Sequence, residues 1–239
     1  MSRAERQEVP PPPRLARAVR EAAIDLYYHS VRLVTGNVAW GILVLATLWF
    51  GLATPLLLVV GVLAQVPIAI GIQNMAVSVV RADNTVMSDL LVAVRERRSL
   101  VLLGAGQLLL GIVALTDAAI GLSFGGPLGA FFAASAVYML FILWALSLTC
   151  WPVLLDPVRR GEPLGRRLRL GVTLALAHPI RISLLALLAL AFLAASALLA
   201  ALLVSVSIAF ICLVAARYVL PAADRLEGRA TLSPSGDEA

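Results

Sequence analysis

The chain has 239 residues, of which 61% are hydrophobic and only 14% charged, and its mean hydropathy is +0.94. One water-soluble core of this size cannot hide so much apolar surface, which excludes an ordinary soluble domain and makes lipid the natural solvent. The net charge is +5 and all 19 basic residues are arginine; because they flank apolar runs they read as topology signals, not as a nucleic-acid surface, and the lack of lysine points to a GC-rich bacterial source.

In chain order, residues 1–14 are polar and proline-rich and read as a disordered cytoplasmic tail, with no cleaved signal peptide. Leu15, Val19, Ala22, Ala23, Leu26 and Tyr27 then form an apolar stripe at helical spacing, an interfacial helix that ends on Tyr27, Tyr28 and His29 at headgroup level. A single membrane domain is expected over 15–220. Its first span, about 33–52, is long enough to cross about 30 Å of hydrocarbon at about 1.5 Å per residue. The second, about 56–80, carries Gln65, Pro67, Gln73 and Asn74. Amides beside a proline read either as a polar site or as hydrogen bonds between packed helices.

The segment Thr85–Arg97 is again amphipathic and leads through Arg95, Arg97 and Arg98 into a third span, about 100–122. Gly104, Gly106 and Gly111 on that span would let a neighbouring helix approach closely. Asp117 lies about 26 Å from Leu100 along the helix, near the outer edge of the hydrocarbon, where a charge costs less than at the centre. An acid toward a helix C-terminus also opposes the dipole. It is either a proton-, cation- or hydroxyl-binding carboxylate or the solvated end of a helix.

Gly125-Gly126-Pro127 breaks the chain before a fourth span, about 128–151, whose stripe of Phe131, Tyr138, Phe141 and Trp144 reads as packing or lipid contact. Residues 156–169 follow as an arginine-rich loop containing Arg166, Arg167 and Arg169, then a third amphipathic segment, Leu168 to His178. The last apolar block, 182–220, would be about 60 Å long as one helix, so it splits near Leu199 into spans at about 182–198 and 200–218. Residues 221–239 read as a disordered cytoplasmic tail.

The expected fold is thus an all-α polytopic bundle of six transmembrane helices in three hairpins, each preceded by a cytoplasmic amphipathic helix. Every arginine then falls on one side. The positive-inside rule makes that side cytoplasmic, with both termini on it, in a bacterial inner membrane. Cys150 and Cys212 lie in apolar runs and read as buried reduced thiols.

The chain from about Tyr28 to Tyr218 resembles the YesL family of bacterial integral membrane proteins. The resemblance rests on NMAVSVVRADNTVMSDLLVAVRERRSLVLL, on Asp117 late in the third span, on WPVLLD after the fourth, and on LALAHPIRISLLALL before the fifth. Leu90, Leu91 and Val94 stand where that family carries aromatics. The resemblance implies a gene neighbourhood beside carbohydrate ABC importers, and no reaction.

No paired membrane carboxylates, HExxH, GxSxG or phosphate loop occur in the sequence, so neither an enzyme nor a cofactor is expected. Two function classes remain. One is a non-enzymatic accessory or regulatory protein of carbohydrate uptake, contacting anionic lipid or a partner such as an ABC importer through Arg95, Arg97, Arg98, Arg166, Arg167 and Arg169. The other is a small transporter or channel, as a single chain or a homo-oligomer, with Asp117, Gln107, Gln65, Gln73 and Asn74 as its polar lining.

Overall fold

The computed structural model describes residues 12–51, 54–82, 98–199 and 204–229. These form eight α-helices: α1 (Leu15–Tyr28), α2 (Ser30–Gly51), α3 (Pro55–Ala82), α4 (Arg98–Phe124), α5 (Gly126–Leu155), α6 (Leu164–Ala177), α7 (Pro179–Leu198) and α8 (Ser207–Leu226), with a 3-10 turn at Pro157–Arg159 after α5. Six of them, α2 to α5 with α7 and α8, are long and apolar enough to cross a membrane. The protein is therefore all-α and integral to a membrane. The amphipathic segment expected at 85–97, with Arg95 and Arg97, lies outside the described residues, as do residues 200–203; the break expected near Leu199 falls where α7 ends, at Leu198.

α1 and α6 are the amphipathic helices. Each stops one residue before a span, at a histidine whose backbone serves both helices. The His29 N–H donates to Asp25 O at 2.9 Å while its carbonyl accepts from Leu33, and His178 likewise bridges Leu174 and Ile182. On α1 the inward face comprises Ala18, Ala22 and Asp25, while Tyr27 and Tyr28 stay exposed. An acid therefore occupies the stripe that hydropathy alone would fill with apolar residues.

Small residues set the helix contacts. Gly61 faces Thr47 and Gly51 faces Leu58, so α2 and α3 run side by side in opposite directions. On α4 only one of the three expected glycines meets a neighbour. A Cβ on Gly104 would stand 2.7 Å from Val66 of α3, whereas Gly106 and Gly111 face open space. Backbone meets backbone further along, where a Cβ on Gly121 would stand 2.8 Å from the Ala133 nitrogen on α5. Only glycine admits backbones at that separation.

The sixth span corrects the sequence reading. It starts at Ser207 and continues through Pro221 to Leu226, into residues assigned above to a disordered tail. The reason is tertiary. α8 packs on α1, α3 and α5, and 78% of its apolar window is buried, against 17% for α4 and α5. The outer halves of α4 and α5 bury mainly the small residues Ala114, Ala118, Gly121, Gly129, Ala133 and Ala136. Their large apolar side chains, among them Leu109, Phe131, Phe132 and Tyr138, face outward. The aromatic stripe on α5 is thereby divided, since Phe141 packs on the core and the Trp144 indole N–H donates to Ala186 O of α7 at 3.2 Å.

Candidate functional site

The arginine-rich end of the bundle is closed by buried ions. Arg81, in the last turn of α3, reaches two carboxylates. Its Nε and Nη2 donate to Asp156 at 3.1 and 2.6 Å, and its Nη1 and Nη2 donate to Asp224 at 2.6 and 2.8 Å. Asp156 ends α5, and its Oδ1 also accepts the Val158 N–H at 3.1 Å, which starts the 3-10 turn. That turn delivers Arg159, fully buried, back onto Asp156, onto Asp224 at 2.8 Å, and onto Glu227 at 2.8 to 3.0 Å. Arg229 closes the rim by pairing with Glu162 and Glu227. The ends of α3, α5 and α8 are thus held by one network in which every buried charge has opposite charges in contact, the condition for tolerating ions away from water. Burial alone would lower the Arg159 pKa, but Asp156, Asp224 and Glu227 outweigh it and hold the guanidinium above its ordinary value.

Further ties lie beside this network. Arg217 of α8 grips Asp25 of α1 through two bonds of 2.7 and 2.8 Å. Deeper in the bundle, fully buried Asn37 of α2 donates to Val204 O at 2.8 Å and accepts the Ala209 N–H at 3.0 Å, stitching α2 to the start of α8.

The expected polar lining does not gather in one place. Gln107 of α4 is spent on α5, donating to Ser147 and accepting the Trp151 indole N–H at 3.0 Å. Gln65 is half-buried on α3. Gln73 and Asn74 are buried two turns further along that helix, and the Gln73 Nε2 has no hydrogen-bond partner among the described residues. Asp117 stands apart from all of them, exposed beside a groove of about 740 Å³ between the outer halves of α4 and α5. α4 continues seven residues past it to Phe124, about 10 Å, so Asp117 does not sit in the last turn and the dipole argument above does not apply.

Of the arginines expected at a lipid or partner surface, Arg98, Arg166 and Arg169 are exposed. Arg167 is a correction. It is buried and donates to Leu154 O at 2.6 Å, because α6 starts at Leu164 and turns this side chain onto α5.

Asp156, Arg159, Asp224 and Arg81 were not singled out by the sequence. The available signal was that Asp156 and Asp224 directly abut apolar runs at the arginine-rich end, where an acid has no role in topology. Fold and site together define the class: an all-α integral membrane protein with six span-length helices, three of which, α3, α5 and α8, are clasped at one end by buried ion pairs. No family model, no curated protein and no solved structure matches the chain.

Proposed function

We propose that the protein is a non-enzymatic accessory or regulatory component of carbohydrate uptake in a bacterial inner membrane, with its arginine-rich end cytoplasmic. The observation that carries this reading is how the polar side chains of the helices are used. Gln107, Asn37, Asp25, Asp156 and Asp224 are each spent on joining one helix to another. Such ties build a scaffold. Orientation follows from the arginine asymmetry, and the link to carbohydrate importers follows from the resemblance to the YesL family. Arg98, Arg166 and Arg169 provide the exposed cationic surface through which such a scaffold would meet a partner or anionic headgroups.

The test is capture of the tagged protein from mild detergent in its native host, with co-purifying proteins identified by mass spectrometry. Recovery of the subunits of a carbohydrate ABC importer in stoichiometric amount is the expected result. Recovery of the chain alone, or as a homo-oligomer, overturns it. The second reading, a small transporter or channel, is favoured by the groove beside Asp117. In that case liposomes containing the protein would conduct or take up solute, and Asp117→Asn would abolish the flux.

A further inference from the structure

The groove beside Asp117 has a chemistry of its own, separate from the reading above. Its wall is formed by Leu110, Val113 and Ile120 of α4 and by Leu128, Phe132 and Met139 of α5, and the floor is opened by small residues, among them Ala114, Gly121 and Gly129. Two polar side chains, Asp117 and Ser135, line it. A sugar needs several hydrogen-bonding partners to replace its water, and two do not suffice. An alkyl chain needs none. The volume, about 740 Å³, suits acyl chain rather than an ion.

Charge and depth narrow the occupant further. Asp117 is the one residue in the sequence between Arg98 and Asp156 that carries a charge at neutral pH. No side chain of the described residues neutralises it. Measured from Arg98, where α4 begins, it lies about 28 Å along the helix, at the rim of a hydrocarbon layer about 30 Å thick. That is the depth at which a lipid carries its headgroup. The complement of a lone carboxylate above an apolar groove is an ammonium above an acyl chain. We propose that the α4–α5 groove is a binding site for a phospholipid with a primary ammonium headgroup, the ammonium pairing with Asp117 and one acyl chain lying between the two helices.

The experiment uses the full chain in nanodiscs doped with a photoactivatable phosphatidylethanolamine or the matching phosphatidylglycerol, with labelled peptides read by mass spectrometry. The ethanolamine probe is expected to label α4–α5 peptides about fivefold more than the glycerol probe, the discrimination one partly solvated ion pair provides. Asp117→Asn should remove that preference, and Asp117→Arg should reverse it. Equal labelling by the two probes overturns the proposal, as does a preference that survives Asp117→Asn. Cross-linking of the groove to a second copy in place of lipid also overturns it. If the variants do not purify as single species, competition on the unsubstituted chain decides: unlabelled phosphatidylethanolamine must displace the probe and phosphatidylglycerol must not.

Discussion

Arg159→Met removes a charge from the buried network while nearly preserving volume. In the native cluster the two guanidiniums of Arg81 and Arg159 face Asp156 and Asp224, with Glu227 at the edge. After the substitution Arg81 alone must satisfy both aspartates, and one carboxylate is left buried without a matching charge. Removing one partner from a buried pair costs about 3 to 5 kcal/mol. At about 2 to 4 °C per kcal/mol for a chain of this size, the melting temperature should fall by about 6 to 20 °C. Cys150 and Cys212, both free and buried, supply the assay, since a thiol-reactive fluorophore reports their exposure on heating in detergent. The double variant Asp156→Asn with Arg159→Met restores a one-to-one balance between Arg81 and Asp224. It should be less destabilised than the sum of the single variants by about 2 kcal/mol. Additivity within about 0.5 kcal/mol would refute the reasoning, because it would mean that the charges do not act as a unit.

Other outcomes follow from the same contacts. Arg217→Met should cost about 2 kcal/mol and raise hydrogen exchange in α1 while that of α3 stays unchanged, because the Asp25 carboxylate loses its grip on α8. Gly121→Leu should prevent α4 and α5 from packing and lower the yield of folded protein, whereas Gly106→Ala, facing open space, should raise the melting temperature by about 1 to 4 °C through reduced backbone entropy. Gln107→Leu should cost about 1 to 2 kcal/mol and shift tryptophan fluorescence, since the Trp151 indole loses its acceptor. Arg166→Gln with Arg169→Gln should leave the melting temperature within about 2 °C, both side chains being exposed, while reducing the recovery of any partner that docks on them.

The spans were legible because hydropathy reports directly on the solvent each helix meets. α2, α3, α4, α5 and α7 begin and end within a few residues of the apolar runs. α8 was harder for a physical reason: it is buried by protein on most sides, so the polar residues Arg217 and Asp224 inside it are paired rather than excluded. Hydropathy therefore ended the helix too early. The ion network was hidden for a related reason. Its members are separated by up to 148 positions, from Arg81 to Arg229, and each arginine already had a sufficient explanation as a topology signal. Asp117 was visible because it is the lone acid between Glu96 and Asp156, yet its groove was not, since that depends on glycines and alanines whose spacing resembles any apolar helix. Gly106 and Gly111 illustrate the limit, looking like Gly121 in sequence while a Cβ at either would meet none of the described residues within 4 Å.

The central position of α8 sets an order of events during synthesis. This helix emerges after the other seven, and Asp224 and Glu227 lie at its far end. Until they arrive, Arg81 and Arg159 share the single carboxylate of Asp156, Asp25 lacks Arg217, and Asn37 lacks both of its backbone partners. Early spans can enter the bilayer on hydropathy alone, and α2 can pair with α3 and α4 with α5, but α1, α3 and α5 lack the helix on which all three pack. The ion network must therefore close late, and a ribosome that stalls before α8 would leave inserted helix pairs with only the Asp156 carboxylate to join them by charge at the arginine-rich end.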